Sequence, residues 1–136
     1  MTKKDKDLLL KDLCARLPYN PMVEYKGETY NVLGIAHLRL VLCKPFMSYT
    51  LDECPLVEEV KPYLFPMSSM TEEQRNEFDT QTFKIMFGEC ICNKNDEMGY
   101  GKLMNFDLNF YNTHHLDWRG LIPKGLAIDA TNLNIY

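Results

Sequence analysis

The side chains of this 136-residue chain best placed to do chemistry are His114-His115-Leu116-Asp117, two adjacent imidazoles followed by a carboxylate. An imidazole beside a carboxylate can move a proton near neutral pH, and the same set can bind a metal. The spacing works against both uses. Neighbouring residues on a helix point about 100° apart, and a helical zinc site uses histidines at i and i+4. His115 and Asp117 can meet only where the helix ends. The plainer alternative has His114 packing on Phe110 and Tyr111, with either imidazole tipped toward the last carbonyls of the helix.

Asp117-Trp118-Arg119-Gly120 follows directly and holds the only tryptophan. Trp and Arg are the residue types most often found at binding hot spots. An exposed Trp118 with Arg119 beside it would make a contact patch. The alternative is a Trp that plugs the core, with Arg119 held by Asp117 or nearby carbonyls. The candidate partner-binding residues are therefore His115, Asp117, Trp118 and Arg119. No residue is assigned a catalytic or metal-binding role.

Other sets are thinner. Cys90-Ile91-Cys92 offers two thiolates, but tetrahedral zinc needs four ligands and no second close pair exists. Phe46, Tyr49, Tyr63 and Phe65 lie among prolines; they could line a peptide groove or simply cover a sheet face. Gly99-Tyr100-Gly101 is far too short for a phosphate loop, and no other pattern implies a cofactor.

The net charge is −4, from 15 basic and 19 acidic side chains. A general nucleic-acid binder would carry a basic stripe, so only a local patch of Lys61, Lys102, Arg119 and Lys124 keeps that option open. The apolar fraction is 46% and the charged fraction 25%, normal for a globular protein. The polar opening and the lack of a long apolar run argue against a signal peptide or a membrane span. Five cysteines at irregular spacing then fit reduced thiols in the cytoplasm.

The elements that must position these residues read as a single α+β domain, 1–136, with 1–6 frayed. Leu9, Leu10, Leu13 and Leu17 make an apolar stripe on a helix over 7–17, capped by Asp5 or Asp7. Pro18 and Pro21 stop it. Alternation then predicts antiparallel strands at 22–26, 29–35 and 37–43, with a turn at Lys26-Gly27-Glu28 and a bulge or bend at Gly34. Val57, Val60, Tyr63 and Leu64 suit a short turn or an edge strand. Thr71 and Gln74 fit a capping box that starts a helix over 72–80, anchored by Phe78. Residues 83–101 are ambiguous between helix end, strand and loop. Leu103, Phe106, Phe110, Tyr111 and His114 place a helix over 102–115. The expected architecture is a small antiparallel sheet packed against about three helices, with 116–130 folded back over the core.

Three stretches carry a resemblance. They are Leu13 to Tyr19, Val60 to Gln74, and His114-His-Leu-Asp-Trp-Arg-Gly-Leu-Ile-Pro-Lys-Gly-Leu-Ala-Ile-Asp-Ala130. Together they resemble uncharacterised small proteins carried by phages and mobile elements of gut Bacteroidales. The last motif is the most specific. The resemblance implies a small intracellular accessory protein and transfers no catalytic residues.

Two functions follow as expectations. One is a non-enzymatic accessory protein of a phage or mobile element that binds an unidentified protein partner, without cofactor or membrane. The other is a small metal-dependent or His/Asp-based hydrolase that uses His114, His115 and Asp117, with His37 as a further candidate. The second requires those side chains to converge in a cleft.

Overall fold

The computed structural model describes residues 1–45, 53–88 and 106–136. Within them the chain is α+β, with helices α1 (Lys3–Arg16) and α2 (Glu72–Gly88) and a third, α3, over 106–113. The strands are β1 (Met22–Tyr25), β2 (Glu28–Ala36), β3 (Arg39–Cys43), β4 (Lys61–Leu64) and β5 (Ile128–Asp129). They form one sheet in the order β3-β2-β1-β4-β5. Cys90, Cys92, Phe46, Tyr49, Gly99, Gly101, Lys102 and Leu103 lie outside the described residues.

The sheet is mixed rather than antiparallel. β1, β2 and β3 form the expected meander, and β4 joins β1 antiparallel. β5 runs parallel to β4, through Tyr63↔Ile128 and Leu64↔Asp129. A two-residue strand carries no alternation to read, which is why the sequence did not announce it. β4 is also not an edge strand, despite Pro62. Leu64 accepts a bond from Ala130 N–H, while Phe65 N–H donates to His115 on the other side. By alternation Pro62 faces the β5 side, where pairing begins only at Tyr63. Its missing N–H therefore breaks no ladder bond.

α1 starts earlier than the acidic residues suggested. Thr2 is its cap: the Thr2 hydroxyl accepts from Asp5 N–H at 3.1 Å, and Asp5 accepts from Thr2 N–H at 3.3 Å. The buried positions are Leu9, Asp12, Leu13 and Arg16, so two charged residues share the apolar stripe. Leu10 and Leu17 pack at its margin. Leu9 and Leu13 meet Val23, Tyr25, Tyr30, Val32, Leu40, Leu42, Val57, Val60 and Leu64 in the main core. The opposite face of the sheet holds a smaller cluster of Met22, Tyr63 and Ala130, flanked by Phe65, Ile128 and Ile135. Adjacent strand residues such as Met22 and Val23, or Tyr63 and Leu64, thus serve opposite faces, as the pleat requires.

α2 has the capping box expected of Thr71 and Gln74, with bonds of 3.1 and 3.0 Å. It runs on to Gly88, which settles Phe83 as helical. Its anchor is Phe78, whose ring lies 5.1 to 5.7 Å from those of Phe106, Phe110 and Tyr111 on α3.

Two two-residue hairpins connect the meander. Tyr25↔Glu28 closes the expected Lys26-Gly27 turn, with φ of 51° and 78°. Ala36↔Arg39 closes the second, so His37 and Leu38 are turn residues and not the start of β3. Their φ values are 52° and 64°. Between them, β2 shifts register at Val32/Gly34, which places a bulge at the expected glycine. A left-handed Leu38, 57% exposed, is a costly choice for such a turn. Replacing His37-Leu38 by Asn-Gly should raise the unfolding free energy by about 1 kcal/mol. Urea denaturation of the two chains measures this, and an unchanged or lowered midpoint would contradict it.

Candidate functional site

The proposed partner residues lie where α3 ends. His115 N–H bonds the Asn112 carbonyl at 3.2 Å and Leu116 N–H the Tyr111 carbonyl at 2.9 Å. With His115 at φ 56°, this is a Schellman cap whose left-handed residue is a histidine rather than a glycine. A second cap of the same kind closes the 121–126 turn. There Gly125, φ 74°, bonds Ile122, and Leu126 bonds Leu121.

The cap turns Leu116 against the end of β4. Phe65 N–H donates to His115 O and Asp117 N–H to Phe65 O, each at 2.8 Å. Asp117 is buried and accepts two backbone bonds, from Leu121 at 2.7 Å and Ile122 at 2.9 Å. Its carboxylate is thus committed to holding the next turn, which sends Leu121, Leu126 and Ala127 into the main core. The expected folding back of 116–130 is this arrangement.

Trp118 and Arg119 are only partly buried. The Trp118 indole N–H donates to Asn112 Oδ1 at 3.0 Å, and the Arg119 guanidinium lies 4.1 Å from the centre of the Trp ring. Beneath them is a charge cluster that sequence reasoning missed. Asp12 and Arg16, both 0% exposed, share two hydrogen bonds of 2.8 and 3.0 Å. Arg16 also donates to Leu116 O at 2.7 Å. Arg119 Nε lies 3.3 Å from Asp12 Oδ1, close enough for an ion pair but misaligned for a hydrogen bond. The signal was present in the sequence: Asp12 and Arg16 are four apart, on the stripe of Leu9 and Leu13.

His115 faces the other side of this cluster. Its ring stacks on Tyr136, with centroids 3.6 Å apart and planes 13° off parallel. The Tyr136 hydroxyl accepts from Met22 N–H and donates to the Tyr63 carbonyl, each at 3.0 Å. Burial pushes the Tyr136 phenol up to about 12. Burial, then the Arg16 charge and His114, pull His115 down to about 4.

The four sites of a His/Asp enzyme are not brought together. His37 sits in the β2–β3 turn, well beyond Asn31, where pairing with β1 ends. His115 bonds next to β4. With β1 between β2 and β4, the offset across the strands alone is roughly 10 Å. Asp117 spends both oxygens on backbone. His114 turns elsewhere, packing on Phe110 with ring centres 4.5 Å apart. Among the described residues no three His, Cys, Asp or Glu side chains are grouped as metal ligands, and no helix is long and apolar enough to cross a membrane. Cys14 and Cys54 are exposed thiols and Cys43 is buried. Lys61 and Lys124 are exposed. Against protein-family models, curated proteins and solved structures the chain has no match.

The depressed His115 makes stability depend on pH. Its folded value of about 4 lies below the ordinary 6.5, so between the two the unfolded chain binds more protons. Stability is therefore lost as pH falls from 6.5 toward 4, and this contribution levels off below. The expected loss is about 1–2 kcal/mol, less than the full shift because the ring is partly screened by solvent. His115→Asn, which tolerates the left-handed backbone, should flatten that part of the profile. Equal slopes for the two chains in urea titrations between those pH values would contradict the assignment.

Proposed function

We propose that this chain is a non-enzymatic accessory protein of a phage or mobile element, acting by binding another protein through the Trp118–Arg119 face. The observation that carries the proposal is the stacked pair itself. A partly exposed indole and guanidinium are held in register from below: Asn112 hydrogen-bonds the ring, the Asp12 charge attracts the guanidinium, and Asp117 fixes the turn that follows. Side chains ordered before binding lose less entropy on association, and Trp and Arg dominate hot spots. His115 and Asp117 act in this proposal as supports rather than contacts. The phage or mobile-element origin rests on the sequence resemblance. The negative net charge keeps a protein partner ahead of a nucleic acid.

Arg119→Gln tests the proposal, because it removes the guanidinium from the indole while leaving Trp118 and the backbone bonds in place. Tagged wild-type and Arg119→Gln proteins, both verified folded by circular dichroism, would be used to capture partners from a Bacteroidales host. A partner retained by the wild type should bind the variant roughly tenfold more weakly or worse, as for loss of a hot-spot arginine. Equal retention by both chains would overturn the assignment of this face.

A further inference from the structure

A cleft of about 250 Å³ opens between the start of α2 and the end of β4, and neither Trp118 nor Arg119 lines it. Phe65 and Leu116 supply its apolar wall, and Ser69, Thr71, Gln74, His114 and Thr131 its polar rim. We infer that this cleft is a binding site for a small planar ring bearing a lactam edge, a carbonyl next to a ring N–H.

The hydrogen bonds already made on the rim determine what is left to offer. Gln74 Oε1 accepts from Thr71 N–H, so Gln74 meets His114 Nδ1, 3.3 Å away, with its amide N–H. His114 therefore accepts at Nδ1 and carries its proton on Nε2, as a donor. The Thr71 hydroxyl oxygen accepts from Gln74 N–H, which leaves the Thr71 O–H to donate. The other two hydroxyls have the opposite polarity. Ser69 donates to the Pro66 carbonyl at 2.6 Å, and Thr131 donates to the Asp129 carboxylate. Both keep oxygen lone pairs for an incoming N–H. The rim thus presents donors from Thr71 and His114 together with acceptors from Ser69 and Thr131. A carboxylate would satisfy only the first group, and an alcohol would have to donate and accept through one oxygen, whereas a lactam presents its acceptor and its donor on two adjacent atoms of a flat ring. The volume lies below that of drug-sized pockets, which suits one ring lying on Phe65 and Leu116.

The probe is 2-pyridone, compared with N-methyl-2-pyridone, which keeps the carbonyl and loses the N–H. In carbon-edited NMR titrations, 2-pyridone should shift the Thr131 and Leu116 methyls and the His114 ring saturably. The N-methyl compound should bind about five- to tenfold more weakly. Thr131→Val removes an acceptor without touching the α2 cap, and should weaken 2-pyridone by a similar factor while leaving the N-methyl compound unchanged. The inference is overturned by three results: no saturable shift into the millimolar range, equal binding of the two compounds, or unchanged binding to Thr131→Val.

Discussion

A buried ion pair ties the two ends of this chain together. Asp12 and Arg16 sit on the inward stripe of α1, out of contact with solvent, and Arg16 reaches the carbonyl of Leu116, a hundred residues on. Removing two charges from water is expensive, and their mutual attraction offsets that cost only when the geometry is good and other bonds help. Here the geometry is bidentate and the third bond goes to backbone. The pair is therefore weak evidence for extra stability but strong evidence for a fixed arrangement. Once Arg16 is inside, Leu116 has to be beside it.

The rest of the C-terminal segment follows from that fixed point. Leu116 bridges Phe65 at the end of β4, which brings Asp117 under the 121–126 turn. The turn delivers Leu121 and Leu126 to the main core and leads into β5, the strand that makes the sheet mixed. Thr131 to Tyr136 then crosses the smaller cluster, and the Tyr136 hydroxyl closes on Met22 and Tyr63. The residues that looked most chemical in the sequence are the joints of this path. His115 is a helix cap and Asp117 a turn clamp, and Asn112, unmarked in the sequence, tethers Trp118. Trp118 and Arg119, by contrast, remain partly exposed at the surface of this path.

Local signals in the sequence were read well because their physics is local. The Thr71–Gln74 capping box, the Lys26-Gly27 turn and the glycine at the β2 bulge each depend on a few neighbouring residues. Non-local features were illegible for matching reasons. The His37-Leu38 turn contains no Gly, Asn or Asp, the residues that mark a two-residue hairpin, so nothing announced it. Ile128–Asp129 is too short to show a period. The i, i+4 spacing of Asp12 and Arg16 on the Leu9–Leu13 stripe was visible, but their bond to Leu116, a hundred residues on, was not, because it depends on where the C-terminal segment docks. Of the candidate site, the aromatic–arginine pair was visible as residue types, but its support by Asp12 and Asn112 required the fold.

The most direct test is the unfolding free energy of three chains in urea, followed by Trp118 fluorescence and by circular dichroism: wild type, Asp12→Ala, and Asp12→Leu with Arg16→Met. If the pair fixes α1 to the C-terminal segment, Asp12→Ala strands a buried guanidinium and costs about 3–5 kcal/mol, and the double apolar replacement recovers much of that loss. A cost below about 1 kcal/mol for Asp12→Ala, the range of an exposed pair, would contradict the account.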